Sequence, residues 1–277
     1  MRVAAVQMTS TEDRTLNLKK AIGWIEEAVQ HKADLIAFPE HFSYLTMDDH
    51  PIPSTESTHG ELVSSFCSLA QKFSIPILLG SFAEKISGSS KTYNTSVFID
   101  STGKVLGSYR KMHLFDYQEK SDRVYRESHL VVAGDRPVIL DTSFGKIGIA
   151  ICYDLRFPEL FRHLALRGAR VLLLPSAFTM NTGKDHWEVL LRARAIENQV
   201  YIVAPNQWGF HSEGRESYGN SMIVDPWGKI LARADDIEEV IYADLDFDYL
   251  DKIRSKLPAL HHIQDTLFPQ SLGRAVL

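Results

Sequence analysis

The sequence predicts a mixed α/β fold in which two β-sheets pack face to face with helices on their outer faces. Three observations lead there. Short runs rich in Val, Ile and Leu alternate with longer stretches of helical period. Hairpin-like strand pairs interrupt that alternation, so a purely doubly wound sheet fits poorly. No Gly-, Ser- or Pro-rich linker and no fixed-period repeat divides the 277 residues, which read as one domain over 1–277.

Each element follows from its local pattern. Residues 2–8 read as a strand. Residues 17–30 place Leu18, Ile22, Ile25 and Val29 at three- and four-residue steps, one face of an amphipathic helix. A strand at 34–38 precedes a helix at 60–73, where Leu62, Phe66, Leu69 and Phe73 share a side. Strands follow at 76–82, 94–100 and 104–110, the last two joined by Ser101-Thr102-Gly103. From Lys111 to Asp135 the periodicity lapses, and structureless connections of that length tend to be functional. Order resumes with strands at 138–141 and 146–151, a helix at 156–167, a strand at 170–174, a helix at 184–198 and a strand at 200–205. Strands at 217–225 and 229–234 flank the turn Asp225-Pro226-Trp227-Gly228. A strand at 239–244 and a helix at 247–256 come last, and 257–277 read as an extended tail.

Charge and composition narrow the partners. Thirty basic against 35 acidic residues give a formal charge of −5, without the basic stripe that nucleic-acid binding requires. Apolar runs such as 171–174, which stops at Pro175, fall far short of the ~20 residues of a membrane span. Polar Gln7 arrives too early for a signal peptide, and two cysteines, Cys67 and Cys152, build no disulfide framework. The expectation is a soluble, cytoplasmic protein with neither nucleic-acid nor membrane partners.

The informative polar residues stand at the ends of strands. The run 34–38 stops at Pro39 and delivers Glu40; 105–109 delivers Arg110 and Lys111; 146–151 delivers Cys152. Ligand sites in α/β sheets lie at such ends. A thiol needs deprotonation to attack, which Glu40 would provide, and a strand-to-helix turn would favour the thiolate. Lys111 and the backbone N–H of Tyr153 would hold the oxyanion. A thiol with a carboxylate and an ammonium, and no histidine, points to attack on a carbon–nitrogen bond. Each residue also has an ordinary explanation: an inert core thiol, a helix cap, a solvated lysine. Cys67, mid-helix beside Phe66, reads as such an inert thiol. No zinc-type His or Cys spacing, phosphate-binding Gly-rich loop or Gly-x-Ser-x-Gly elbow appears.

Phe38-Pro39-Glu40, the block from Tyr109 to Asp116 and the block from Cys152 to Glu159 resemble the three signature blocks of the nitrilase superfamily of carbon–nitrogen hydrolases. The resemblance extends over nearly the whole chain, from Val3 to Pro258. It implies a four-layer αββα sandwich of two mixed sheets, a homodimer or larger homo-oligomer, no cofactor and no metal. It also implies a Glu40–Lys111–Cys152 triad and a second glutamate at Glu127, which would otherwise be a solvated loop carboxylate. The segments from His186 to Glu197 and from Ser217 to Gly228 resemble the branch acting on deaminated glutathione, next to the omega-amidases. The loop 116–126 lacks the Pro-Gly element common in relatives. The substrate implied is a small linear ω-amide carrying an α-keto acid. Arg156 is the candidate for its carboxylate, or else an ion-pair partner of Asp154 or Glu159. Phe178 and Thr182 resemble pocket residues, although Phe178 would serve equally in a core. A catalytically idle scaffold of the same fold is the alternative of a different class.

Overall fold

The computed structural model describes residues 1–46, 55–120, 123–212 and 215–264. Strand β1 (Arg2–Gln7) leads to helix α1 (Arg14–Gln30), whose first turn is capped by the Asp13 carboxylate accepting from Leu16 N–H, and then to β2 (Leu35–Ala37). Helix α2 (Glu61–Phe73) precedes β3 (Ile77–Leu78), β4 (Phe82–Lys85), β5 (Thr92–Ile99) and β6 (Val105–Arg110). A hairpin of β7 (Asp116–Lys120) and β8 (Arg123–Arg126) leads to a one-turn helix, α3 (Glu127–Leu130). Strands β9 (Val138–Thr142) and β10 (Gly145–Ile149) come before α4 (Pro158–Leu166), β11 (Val171–Leu173), α5 (Met180–Asn198) and β12 (Tyr201–Ala204). The hairpin β13 (Trp208–Ser212) and β14 (Arg215–Tyr218), strands β15 (Met222–Val224), β16 (Ile230–Arg233) and β17 (Glu239–Asp244), and α6 (Phe247–Lys256) complete the chain order.

Both large sheets are mixed. One runs β17-β1-β2-β3-β5-β4 with β6 also paired to β5; the other runs β16-β15-β12-β11-β10-β9. Alternation along β1 shows how they are layered. Ala4 and Val6 pack with Ala21, Ile25 and Ala28 of α1 and Val63, Phe66 and Ala70 of α2. Val3 and Ala5, on the opposite face, join Ile147, Ile149 and the core of the second sheet. Gly148 faces outward, where a Cβ would collide with Leu172 and crowd Leu164 of α4. Helices, sheet, sheet, helices: this is the αββα sandwich.

Several elements depart from the sequence expectation, each for a local reason. Helix α1 buries Asn17, Ala21, Ile25 and Ala28, whereas Ile22 is 37% exposed. Asn17 belongs inside because its side chain bonds the Thr11 backbone at both ends and the Ser43 carbonyl. The strand expected over 76–82 is broken at Gly80, whose φ is +22° and whose Cβ position is filled by the Pro39 carbonyl. Only glycine lets the chain pass so close to the segment that carries Glu40. The strand expected over 217–225 breaks at Gly219 and Asn220, both at positive φ. The helix expected over 156–167 is a 3-10 turn over Cys152–Arg156 followed by α4, with Pro158 opening the new helix.

The lapse in periodicity after Lys111 conceals the β7–β8 hairpin. Its strands are mostly charged, and their support is aromatic: Phe115, Tyr117, Tyr125 and Tyr153 have ring centroids 5.1 to 6.2 Å apart. A period-based reading does not register such a cluster. In the expected tail, Ala259–His262 form a 3-10 turn, and residues 265–277 lie outside those described.

Candidate active site

Glu40, Lys111 and Cys152 arrive from three strand ends and meet on one wall of a cleft of about 1140 Å³, part of it open to solvent. Beyond β2, Phe38 N–H still bonds the Leu78 carbonyl, and Pro39 then ends the ladder. Gln207 holds the Glu40 carbonyl at 2.9 Å. Lys111 N–H donates to the Asn94 carbonyl at 2.9 Å, and Gly134 N–H donates to the Lys111 carbonyl at 2.8 Å. Cys152 turns the chain from β10 into the 3-10 helix at φ +46°, a conformation that costs a non-glycine residue roughly 1–3 kcal/mol. Its N–H donates to the Pro175 carbonyl at 2.9 Å.

The head groups form a charge-alternating chain. Lys111 Nζ lies 2.9 Å from Glu40 Oε1, and 3.1 and 2.8 Å from the two oxygens of Glu127. Glu127 also accepts Phe115 N–H at 2.7 Å, which fixes it from the backbone side. Glu40 accepts Ala177 N–H on Oε2 at 2.9 Å, and its charge acts on the neighbouring Cys152 thiol.

Burial pushes the Glu40 carboxyl up, but the Lys111 charge and its hydrogen bonds prevail and hold it at about 2. Burial pulls the Lys111 ammonium down, and Glu127 and Glu40 more than restore it, to well above its ordinary value. Burial and the neighbouring Glu40 charge push the Cys152 thiol well above its ordinary value. The expectation that the turn favours a thiolate is therefore reversed in the resting site. A buried thiol against a carboxylate keeps its proton, and the short 3-10 turn does not overcome those two effects.

Of the other expected residues, Tyr153, Phe178 and Thr182 line the cleft; Arg156 is not among its lining residues. The Arg156 guanidinium sits 5.8 and 5.3 Å from the Tyr153 and Phe178 rings and bonds His186 Nδ1 at 3.2 Å. Asp154, one of its expected ion-pair partners, is engaged elsewhere. It accepts from Tyr109 Oη at 2.7 Å and Ile151 N–H at 2.8 Å, and contacts His113 Nδ1 at 2.7 Å. On α5, Arg192 pairs with Glu188 one turn away, at 3.1 Å. Cys67 is half-buried in α2, its thiol pushed up by burial and by Asp100.

The chain has relatives among known proteins. The sequence profile of the family described as carbon-nitrogen hydrolase matches residues 2–255. The chain belongs to the carbon–nitrogen hydrolase family. It is 43% identical to a deaminated glutathione amidase of Synechocystis sp. over 262 residues, 94% of this chain and 96% of that protein. The crystal structure of the Caenorhabditis elegans NitFhit protein superposes with a TM-score of 0.90 at 39% identity, covering 96% of this chain and 66% of that one. Saccharomyces cerevisiae Nit3, a member of branch 10 of the nitrilase superfamily, gives a TM-score of 0.85 at 35% identity, covering 93% and 94%.

Three side chains of this carbon–nitrogen hydrolase site escape the sequence reading. Asn94 Nδ2 bonds Glu40 at 2.8 Å and Glu127 at 3.3 Å, bridging the two carboxylates. Its one visible signal is an asparagine inside a strand, a residue type that strands disfavour. His41 Nε2 lies 3.8 Å from Glu40; burial chiefly pulls the imidazole down to about 4, so it is neutral at pH 7. Arg215 lines the cleft from β14, with no sequence signal to mark it. Among the described residues, no helix is long and apolar enough to cross a membrane, and no three His, Cys, Asp or Glu side chains are grouped to hold a metal.

Proposed function

We propose that the chain is an amidase that cleaves a linear ω-amide through a thioester on Cys152, with deaminated glutathione as substrate and 2-oxoglutarate and cysteinylglycine as products. The observation that carries this reading is the Lys111 ammonium set between two carboxylates, with the Cys152 thiol on the same wall of an open cleft. The relatives' common activity supports the choice of substrate.

In the proposed cycle the substrate carbonyl carbon approaches Sγ, and the thiol proton passes to Glu40 as the C–S bond forms. Protonation removes one negative charge beside Lys111, freeing ammonium hydrogen-bonding capacity for the oxyanion, with Tyr153 N–H as its second donor. Glu40 then returns the proton to the leaving amine as the C–N bond breaks. Water, deprotonated by Glu40, adds to the thioester, and Sγ leaves with the proton to restore the thiol. Glu127 keeps Lys111 charged and in place. The 2-oxo acid half lies toward Phe178 and Thr182, with Arg156 one ring away. A homo-oligomer belongs to the same reading, supported by the exposed Val189 and Ile196 of α5 and the exposed Trp227. A reducing, cytoplasmic setting suits a nucleophilic thiol.

The test is a comparison of kcat/KM for deaminated glutathione and for 2-oxoglutaramate. Preference for the former supports the proposal; preference for the latter makes the protein an omega-amidase. Turnover of neither removes the amidase reading.

A further inference from the structure

Beside the Phe178–Thr182 segment, the cleft has a further stretch of wall that the proposed chemistry does not use. It is built from the segment after Glu40 and from β14, and it presents His41, Thr46, Arg215 and Ser217. Arg215 and Ser217 stand two residues apart on one strand, so their side chains leave the same face. Arg215 Nη1 donates to the Thr46 carbonyl at 2.5 Å, which anchors the guanidinium at the wall. Its positive charge is felt by His41, whose ring in turn lies 3.8 Å from the Glu40 carboxylate.

Ser217 has a defined polarity. Its Oγ is 2.9 Å from His211 Nε2, and His211 Nδ1 is 2.8 Å from the Ser10 carbonyl. A carbonyl only accepts, so Nδ1 carries the hydrogen. Burial pulls His211 down to about 3, so Nε2 is unprotonated at pH 7 and accepts the Ser217 hydroxyl hydrogen. The Ser217 oxygen is thereby left as an acceptor, suited to an N–H group.

Glu40 decides which half of a substrate reaches this wall. As the acid that protonates the departing amine, Glu40 must face the leaving nitrogen. A leaving group that departs past His41 would meet Ser217 and Arg215. An ammonia leaving group needs nothing there, whereas a dipeptide carries a peptide N–H and, about 7 Å from its amine at ~3.5 Å per residue, a terminal carboxylate.

We propose that Arg215, with Ser217, forms a subsite for the carboxylate-terminated peptide portion of the leaving group, and so selects peptidyl amides over primary amides. This inference rests on the amidase reading above. A guanidinium matches a carboxylate bidentately, and such charge-assisted bonds are the strong ones.

The experiment measures kcat/KM of the purified full-length protein on three compounds: deaminated glutathione, its analogue with the terminal carboxylate replaced by carboxamide, and 2-oxoglutaramate. The parent protein should prefer the carboxylate over the carboxamide by about tenfold or more. Arg215→Gln should collapse that preference and lower the ratio of deaminated glutathione to 2-oxoglutaramate by a similar factor, mainly through KM. Arg215→Lys should recover part of it. A parent protein that turns over both amides but ignores the terminal carboxylate overturns the subsite while leaving the amidase reading intact. So does an Arg215→Gln variant that loses both amides in equal proportion. Turnover of none of the three compounds removes both. The carboxylate–carboxamide comparison needs no variant, so it decides the matter even if Arg215→Gln folds poorly.

Discussion

Glu127 grips Lys111 with both carboxylate oxygens, at 3.1 and 2.8 Å, while its own Oε2 accepts Phe115 N–H. A residue that opens a one-turn helix on a peripheral segment thus becomes the main electrostatic support of the buried ammonium. Glu127→Gln keeps an acceptor but removes the charge. It should lower kcat by about 100-fold, the scale of losing one electrostatic contact in a transition state, with a smaller change in KM. Steady-state kinetics check this; a variant within twofold or so of the parent protein would leave Glu127 a structural role only.

Cys152→Ala removes the proposed nucleophile but keeps a residue of similar size at the same strained turn. Its stability should lie within about 1 kcal/mol of the parent protein, and turnover should vanish. Intact-mass analysis of the parent protein with substrate should find the acyl adduct on Cys152. An adduct on Cys67 would refute the assignment, although burial raises the Cys67 thiol and argues against it.

Asn94→Asp replaces a neutral bridge by a third carboxylate between Glu40 and Glu127. Like charges raise one another's pKa, so the acid limb of the kcat/KM profile should move upward from the region near 2 where Glu40 titrates. Asn94→Ala should leave the profile in place and lower kcat about 10- to 100-fold through looser placement of Glu40. Two superimposable pH profiles would contradict the bridging role.

Gly80→Ala puts a methyl group into the Pro39 carbonyl, at a φ of +22°. The strain should cost more than about 2 kcal/mol and shift the segment carrying Glu40, so that kcat falls together with the melting temperature. A loss of stability with unchanged kcat would show that the Glu40 segment tolerates displacement.

Acid should weaken the fold in two stages. Folding lowers the imidazoles of His41 and His211 from 6.5 to about 4 and about 3. The unfolded chain therefore binds protons first, and stability declines as pH falls from 6.5 toward those values. The Glu40 carboxyl, lowered from 4.5 to about 2, contributes fully above 4.5, and that contribution is lost as pH falls through 2. Urea unfolding across pH 4–7 should show the first stage, and His211→Asn should flatten it. A decline that persists unchanged in that variant assigns it to other groups.

Much of the architecture was legible in local patterns because the elements bury ordinary apolar faces. The apolar run of β1 and the helical spacing in α2 are each visible in a short window of sequence. On α1 the helical spacing places Leu18, Ile25 and Val29 on the core side as observed but misplaces Ile22, because Ala21, Ala28 and a hydrogen-bonded Asn17, which hydropathy does not rank as core, share the inward face. The β7–β8 hairpin was missed because rings spaced far apart in sequence support it.

The candidate site divides in the same way. Glu40, Lys111 and Cys152 stood out as reactive side chains at strand ends, and ordered motif blocks singled them out as one set. Their protonation at rest did not follow from residue type. It depends on burial and on charges brought from far along the chain: Glu40 and Glu127 lie 71 and 16 residues from Lys111, and burial with the Glu40 charge is why the thiol sits above its usual range rather than below it. Gln207 and Arg215 carry no local signal, and Asn94 only that of an asparagine inside a strand. Their parts arise from the packing of one sheet against another, since hydrogen bonds and Coulomb forces act on distance in space and are blind to separation along the chain.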